Sequence, residues 1–211
     1  MKKIAIIGIS GYSGLELLRL LHSHSDAEIV SVYGTSNIGT KLTDLFPKLL
    51  NFPKYADLTI KTFSSDEIMT TADLVFFATL AGIAAELATD FIAADFPVVD
   101  LSGDFRLQNP AQYEKWYKKS AVHKNLLSKA DYVLADFDRP TQPYISNPGC
   151  YATATLLSLA PLYQANLIQL DSVIIDAKSG LSGAGKNLTD SSHYVNANEN
   201  VSLYKLSQHQ H

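Results

Sequence analysis

The sequence has a single cysteine and no large excess of charge of either sign. With one cysteine among 211 residues the chain cannot form an internal disulfide, which excludes a disulfide-stabilised secreted scaffold and favours a reducing, cytoplasmic compartment. Its 17 basic residues are outnumbered by 21 acidic ones, so the composition lacks the basic surplus typical of nucleic-acid-binding proteins. A hydrophobic content of 46% is too high for a disordered chain.

Long apolar runs are also missing. Crossing a membrane takes about 20 mostly apolar residues, and the best candidate, residues 151–163, is shorter and contains Pro161. The apolar run Ile4–Ile7 ends at Gly8 without a small-residue cleavage site after it, which is not typical of a signal peptide. We therefore expect a protein that does not enter the membrane.

The first hundred residues alternate short apolar runs with helical patterns. Tyr12–His24 and Ile83–Ala93 carry apolar residues at helical spacing between the runs. This alternation predicts an α/β fold, a Rossmann-type doubly wound parallel sheet covered on both faces. The predicted strands are Lys3–Ile7, Glu28–Val32, Leu58–Ile60, Asp73–Phe77 and Pro97–Asp100.

The pattern changes after residue 100. Asn109–Lys119 and Tyr151–Gln164 are predicted helices. Further strands are predicted at Tyr132–Ala135, Tyr144–Ser146 and Ser172–Ala177.

A glycine-rich turn joins the first predicted strand to the first predicted helix. Its spacing, GxxGxxG, differs from the GxGxxG of the common dinucleotide fingerprint. Glycines at this place let a pyrophosphate approach the amides of the helix N-terminus, and the alternative is a simple strand-to-helix turn. The position favours dinucleotide binding. The expected cofactor contacts are Gly8, Ser10, Gly11, Tyr12, Ser13 and Gly14.

The segment after the second predicted strand favours NADP over NAD. NAD-binding folds place an Asp or Glu about 20 residues past the glycines to hold the ribose 2′-hydroxyl. Residues 33–37 contain no carboxylate, and Lys41 follows them. The hydroxyls of Thr35 and Ser36 with a nearby cation suit a 2′-phosphate, whereas the alternative is an ordinary loop.

Cys150 follows Pro148 and Gly149 and opens a predicted helix. A cysteine in the first turn of a helix meets the positive end of the helix dipole, which favours the nucleophilic thiolate. A lone cysteine is more often a small buried apolar residue, but the sharp turn and the helix start favour a nucleophile here.

His209 and His211 are the histidines best suited to work with such a cysteine. They would share one face of an extended segment, and imidazole titrates near neutral pH, as general acid–base catalysis requires. A zinc site would need further ligands that the sequence does not supply beside them. We therefore expect one histidine of this pair to act as the general acid–base, and no metal.

Five segments together resemble the N-acetyl-γ-glutamyl-phosphate reductases, a family within the aspartate-semialdehyde dehydrogenase superfamily. They occur in the order found in that family. The segments are Gly8–Gly14, Asp100–Leu107, Ser146–Thr153, Lys178–Gly185 and His209–His211.

The resemblance implies NADPH-dependent reduction of N-acetyl-L-glutamyl 5-phosphate to the 5-semialdehyde in arginine biosynthesis, through a thioester on Cys150. It places the acid–base histidine in the His209/His211 pair, with His211 slightly preferred. Arg106, whose guanidinium suits a bidentate grip on phosphate or carboxylate, and Asn147 are the expected substrate contacts. Further cofactor contacts are expected from Ser179, Gly180, Ser182 and Gly183. A homo-oligomer is implied by resemblance only.

Two domains are expected: an NADP-binding domain over residues 1–147 and, over residues 148–211, the N-terminal part of an α+β catalytic domain. The family continues for well over a hundred residues more, so we expect a part of a longer reductase, with poor solubility or weak activity on its own. Two alternatives stay open: an enzyme like aspartate-semialdehyde dehydrogenase, and a non-catalytic NADP-binding regulator.

Overall fold

The computed structural model describes residues 1–206, so His209 and His211 lie outside the described residues. The chain divides into two compact units, which we call the N-terminal unit (Met1–Asn147) and the C-terminal unit (Pro148–His211). None of the helices within residues 1–206 is both long and apolar enough to span a membrane.

The N-terminal unit is built on a seven-stranded sheet in which every pairing is parallel. The strands are β1 (Lys2–Ile7), β2 (Ala27–Tyr33), β3 (Ile60–Lys61), β4 (Leu74–Phe77), β5 (Val98–Asp100), β6 (Ala130–Tyr132) and β7 (Tyr144–Ser146). Their order across the sheet is β3-β2-β1-β4-β5-β7-β6. The helices are α1 (Tyr12–Leu21), α2 (Leu42–Leu45), α3 (Ser65–Thr71), α4 (Ile83–Leu87), α5 (Thr89–Ala93), α6 (Pro110–Tyr117) and α7 (Lys124–Leu127).

Both faces of the sheet are covered by apolar side chains. Because successive residues of a strand point to opposite faces, Ile7 of β1 packs in one cluster with Phe91 of α5, and Ile6 packs in a second cluster with Leu18 of α1. All four side chains are buried. The predicted Rossmann-type doubly wound sheet is therefore confirmed.

Three sequence predictions in this unit differ from the structure in detail. The strand predicted at Tyr132–Ala135 lies earlier, at Ala130–Tyr132, where it pairs with β7. The strand predicted at Leu58–Ile60 is Ile60–Lys61. The helix predicted over Ile83–Ala93 is two short helices that meet at buried Ala88.

The C-terminal unit contains one long helix, α8 (Cys150–Gln164), and a short one, α9 (Tyr194–Ala197). Three 3-10 turns lie at Leu170–Ser172, Leu181–Ala184 and Asp190–Ser192. No residue of α8 is buried.

The strand predicted at Ser172–Ala177 is wrong. These residues form no strand, and Ile174 is 93% exposed. A strand exists only when a neighbour completes its hydrogen-bond ladder, and no other segment of residues 148–206 is a strand that could do so. The expected α+β character is therefore not seen in this part of the chain.

Candidate functional site

The carboxyl ends of the central strands meet at one edge of the sheet. Loops after these strands are tied together there, because the Gly8 amide donates to the Tyr33 carbonyl at 2.9 Å and the Ala78 amide to the Ile7 carbonyl at 2.8 Å. The order in which strands are added to the sheet reverses between β1 and β4: β2 and β3 lie on one side of β1, and β4 and β5 lie on the other. In open α/β sheets ligands bind at this kind of switch point, and the Gly8–Gly14 turn lies at it.

Two of the three glycines in this turn are required by the protein's own packing. Gly8 has φ +89°, and a Cβ there would collide with the carbonyl oxygen of Ala78. A Cβ on Gly14 would lie 2.6 Å from the carbonyl oxygen of Gly8. These glycines bring α1 close to β1 and to the loop after β4.

Gly11 is different, because its own surroundings do not demand a glycine. A Cβ there would meet the Gly8 carbonyl oxygen at 3.4 Å, an ordinary contact, and φ is −76°. Gly11 is the N-cap of α1, where no side chain caps the helix and no acidic residue occupies the first turn. A phosphate close to this backbone would use both the space and the positive end of the helix. The turn therefore fits a dinucleotide.

The other predicted cofactor contacts of the N-terminal unit lie around this turn. Tyr12 and Ser13 are exposed and Ser10 is half-buried. Thr35 and Ser36 are exposed in the loop directly after β2. The carbonyl of Tyr33, the last residue of β2, accepts the Gly8 amide. Lys41, expected near the 2′-phosphate, contacts Asp57 at 3.1 Å in an exposed ion pair.

A buried carboxylate, Asp100, ends β5 at the same edge. It accepts the Ser102 amide at 2.7 Å and the Tyr144 hydroxyl at 3.0 Å. Burial, assisted by the nearby charge of Asp104 and opposed by these hydrogen bonds, raises the pKa of Asp100 from an ordinary 3.8 to about 6. The loop after β5 is thus folded around a carboxylate that has no access to solvent.

Asp104, four residues further on, ties two helices to this loop. Its carboxylate accepts the amides of Gly82 at 2.7 Å and Ala85 at 3.0 Å, at the start of α4, and the hydroxyl of Tyr113 in α6 at 2.5 Å. Burial, followed by the hydrogen bond to Asp104, raises the pKa of Tyr113. The hydrogen bond from the Gly82 amide to Asp104 therefore fixes the Ala78–Gly82 loop, beside the glycine turn, to the loop after β5.

Arg106 and Asn147, the predicted substrate contacts, lie together. The Arg106 Nε donates to the Asn147 carbonyl at 2.8 Å, and its Nη2 donates to the Leu101 carbonyl at 2.8 Å. The Asn147 amide in turn donates to the Asp100 carbonyl at 2.8 Å. Arg106 therefore clamps the backbone at the end of β7. Three of its five N–H donors have no partner among residues 1–206.

Cys150 is exposed at the first position of α8 in the C-terminal unit. Gly149 is the N-cap, with φ −70° and ψ 163°, and its carbonyl accepts the Thr153 amide at 2.8 Å. No acidic residue lies in the first turn. The helix dipole of a 15-residue helix therefore acts on the thiol without a nearby carboxylate on the same turn to offset it.

The predicted cofactor loop of the C-terminal unit is fully on the surface. Ser179, Gly180, Ser182 and Gly183 are exposed, and the last two belong to the 3-10 turn Leu181–Ala184. Among residues 1–206 no three His, Cys, Asp or Glu side chains are grouped as metal ligands.

The residues that sequence reasoning missed are the buried partners of the β5 loop. Within Asp100–Leu107 the sequence analysis predicts a role for Arg106 only. It predicts no role for the two tyrosines, Tyr113 and Tyr144. One signal was available: a carboxylate at the end of an apolar strand and a second one four residues later must be satisfied by hydrogen bonds if they are buried. The tyrosines that satisfy them are distant in sequence and carry no such signal.

Two curated relatives match this chain over nearly its whole length. Both are named N-acetyl-gamma-glutamyl-phosphate reductase. The relative from Streptococcus mutans serotype c is 56% identical over 210 residues, covering 99% of this chain and 61% of the relative. The one from Lactococcus lactis subsp. lactis is 53% identical over 211 residues, covering 100% and 61%. The chain thus spans about three-fifths of the length of these relatives.

Solved aspartate semialdehyde dehydrogenases share the fold. The structure from Candida albicans, described as having NADP, matches with a TM-score of 0.57 at 20% identity, over 80% of this chain and 48% of that one. The structure from Francisella tularensis matches with a TM-score of 0.55 at 15% identity, over 79% and 42%.

Family models divide the chain at nearly the same place as the structure. Residues 3–142 match the model described as semialdehyde dehydrogenase, NAD binding domain. Residues 150–211 match the one described as semialdehyde dehydrogenase, dimerisation domain. The chain therefore belongs to the semialdehyde dehydrogenase family, as its motifs indicate.

Proposed function

We propose that this protein carries out the NADPH-dependent reduction of N-acetyl-L-glutamyl 5-phosphate to N-acetyl-L-glutamate 5-semialdehyde and phosphate, a step of arginine biosynthesis. The observation that carries the proposal is identity of 53–56% to reductases of that name over 99–100% of this chain. The exposed cysteine at the start of α8 is the nucleophile that such a reaction needs.

The N-terminal unit supplies the groups that suit the cofactor. The amides at the start of α1, around Gly11, would hold the pyrophosphate, and Thr35 and Ser36 would donate hydroxyls to the 2′-phosphate of NADP. Ser179, Gly180, Ser182 and Gly183 would add hydroxyl and amide donors from the C-terminal unit. When bound, NADPH supplies the hydride that converts a thioester to an aldehyde.

Cys150 performs the first step as a thiolate. Its sulfur attacks the acyl carbon of the acyl phosphate, the bond from that carbon to the phosphate oxygen breaks, and phosphate leaves with the bonding electrons. An acyl thioester on Cys150 results. Covalent catalysis of this kind divides one difficult reaction into two easier ones, and Cys150 lies at the positive end of the α8 dipole.

One histidine of the His209/His211 pair handles the proton. It protonates the oxygen as the thioester becomes a hemithioacetal and removes that proton as the aldehyde leaves, which regenerates the thiolate. Arg106 supports the substrate phosphate or carboxylate through the N–H donors that it does not use on the backbone, and Asn147 adds a polar contact beside it.

Two further observations support a proposed assembly and a proposed compartment. The match of residues 150–211 to a dimerisation domain supports a homo-oligomer. The free cysteine that the reaction requires is best kept reduced in the cytoplasm.

The test is turnover in the reverse direction. Purified protein is mixed with N-acetylglutamate semialdehyde, NADP and phosphate, and NADPH formation is followed. We expect phosphate-dependent turnover that Cys150→Ser abolishes while NADPH binding persists. Turnover that survives in Cys150→Ser would overturn the proposal. Preference for aspartate semialdehyde, tested beside it, would indicate the aspartyl enzyme instead, and cofactor binding with an unreactive Cys150 would indicate a regulator.

A further inference from the structure

The loop after β2 is held against the end of β3. The Gly34 amide donates to the Lys61 carbonyl at 3.2 Å, and the Gly39 amide donates to the Ile60 carbonyl at 2.8 Å. Both residues of β3 therefore hold the two ends of this loop. The four residues between these anchors, 35–38, are exposed, and they include the two hydroxyl side chains proposed for the 2′-phosphate.

Lys61 is the last residue of β3 and lies in register with Tyr33, the last residue of β2. Residues in register on neighbouring parallel strands point to the same face of the sheet. The pKa of Tyr33 agrees with this placement: burial raises it most, and among the nearby charges Glu67 raises it further and Lys61 lowers it. The Lys61 ammonium therefore lies close to the end of β2, where the loop begins.

The ammonium of Lys61 is only partly occupied. It donates to the Glu67 carboxylate in an ion pair whose side chains are 47% and 37% exposed. A lysine ammonium has three N–H donors, and the other two have no partner in the part of the chain that the structure describes. Exposed ion pairs of this kind contribute little to stability. An anion that binds beside the loop can therefore use the remaining donors, while Glu67 fixes the direction of the side chain.

Lys41, the cation expected near the 2′-phosphate from the sequence, lies further from this edge of the sheet. The chain runs back along β3 before it reaches Lys41, which pairs with Thr59 in an antiparallel bridge. Thr59 precedes Lys61 by two residues, or roughly 7 Å of extended chain, on the side away from the carboxyl edge. The Lys41 ammonium contacts Asp57 there at 3.1 Å. Its position therefore suits the phosphate less well than that of Lys61.

We infer that Lys61, rather than Lys41, supplies the cation that binds the 2′-phosphate of NADPH beside the exposed loop hydroxyls. An ammonium and a phosphate make charge-assisted hydrogen bonds, which are stronger than those between neutral groups. NADH carries a neutral hydroxyl in place of this phosphate, so Lys61 determines the preference for NADPH over NADH. The inference rests on the proposed function, because NADPH is assigned as the cofactor there.

The test measures the binding of NADPH and of NADH to the full chain by titration calorimetry. Lys61→Gln removes the positive charge and leaves a polar side chain. We expect it to lower NADPH affinity about ten-fold or more, the size expected for a hydrogen bond to a charged group, and to change NADH affinity by less than about two-fold. Lys41→Gln is the matched control, because it removes an exposed lysine from an ion pair of the same kind. It should leave both affinities within about two-fold of the parent.

The outcomes separate this inference from the proposed function. An unchanged NADPH affinity in Lys61→Gln, or an equal loss for NADPH and NADH, would overturn the inference. A loss of NADPH affinity in Lys41→Gln alone would also overturn it and assign the cation to Lys41. In each of these cases a parent protein that prefers NADPH leaves the proposed function standing. If the parent binds NADPH no more tightly than NADH, the inference and the NADPH dependence of the proposed function both fail.

Discussion

Gly11 and Gly14 differ in what an added methyl group would meet. A Cβ on Gly14 would lie 2.6 Å from the Gly8 carbonyl oxygen, whereas one on Gly11 meets ordinary contacts. We predict that Gly11→Ala leaves the free energy of unfolding within about 0.5 kcal/mol of the parent but lowers NADPH affinity at least ten-fold, because the methyl group occupies the space of the pyrophosphate. Titration calorimetry and chemical unfolding measure the two effects.

Gly14→Ala is the matched comparison. Its methyl group is overpacked against the backbone, so it should destabilise the fold by about 1–3 kcal/mol. Equal NADPH affinity for Gly11→Ala and the parent would show that the glycine turn does not hold the cofactor. We expect the parent protein to bind NADPH more tightly than NADH, and measuring the affinity for NADH in parallel tests this preference.

Asp100 makes the stability of the fold depend on pH in an unusual direction. Its pKa is about 6 in the folded protein and near 3.8 when exposed, so between these values the folded chain binds a proton that the unfolded chain releases. Its contribution therefore lowers the free energy of unfolding as pH rises from about 4 to 6, by up to roughly 3 kcal/mol. Below both values the contribution is constant.

Asp100→Asn should remove this slope. The amide keeps an oxygen for the Ser102 N–H and offers an N–H to the Tyr144 hydroxyl, which then accepts instead of donating. Chemical unfolding at a series of pH values should give a flatter curve over this window for Asp100→Asn than for the parent. Asp57→Asn, at a side chain that is 96% exposed, should retain the slope. Retention of the slope in Asp100→Asn would contradict the assignment.

At the scale of elements, Asp104 connects the loop after β5 to α4 and α6. Removing its carboxylate leaves buried N–H and O–H donors without a partner, at about 1–3 kcal/mol each and not fully additive. We predict that Asp104→Ala destabilises the protein by about 3–5 kcal/mol and that Tyr113→Phe, which removes one donor, costs about 1–2 kcal/mol. Chemical unfolding measures both.

The control for this anchor is Glu114→Gln on the exposed face of α6, which should change the free energy of unfolding by less than about 0.5 kcal/mol. A Tyr113→Phe variant as stable as the parent would show that the hydroxyl does not hold α6 to the β5 loop.

How far elements can be predicted from sequence depends on how local their causes are. The central strands β1, β2, β4 and β5 and the helices α1 and α8 follow from local apolar patterns and are found as expected. The helix α6, in a polar and aromatic segment, is found as expected too. Ser172–Ala177 has the composition of a strand, but a strand needs a partner, and residues 148–206 offer none. Local sequence cannot report the presence of that neighbour.

The same limit applies to the site. The glycine turn and the exposed cysteine at a helix start are local features, so sequence alone could indicate them. The hydrogen bond from the Arg106 Nε to the Asn147 carbonyl joins residues 41 positions apart. The hydrogen bond from the Tyr204 hydroxyl to the Tyr151 hydroxyl joins residues 53 positions apart. Such contacts depend on the tertiary fold, which no short motif contains.

At the scale of the whole molecule, the two units differ in how much apolar side chain they bury. Leu18 of α1 is fully buried, whereas Leu157 of α8 is 43% exposed. The free energy of folding contributed by apolar burial therefore comes mainly from the N-terminal unit.

We predict that Leu18→Ala destabilises the N-terminal unit by about 2–5 kcal/mol, whereas Leu157→Ala changes its stability by less than about 0.5 kcal/mol. Unfolding by urea, followed by the fluorescence of Trp116, the single tryptophan, reports on this unit. A loss of comparable size for Leu157→Ala would contradict this difference in apolar burial between the two side chains.

The central claim is that Cys150 accepts the acyl group of an acyl phosphate. The most direct measurement mixes the protein with N-acetylglutamyl phosphate in the absence of NADPH and records phosphate release together with the mass of the intact chain. We predict one equivalent of phosphate released per chain and one N-acetylglutamyl thioester located on Cys150, with neither in Cys150→Ser. Phosphate release without an adduct, or an adduct that persists in Cys150→Ser, would contradict the account.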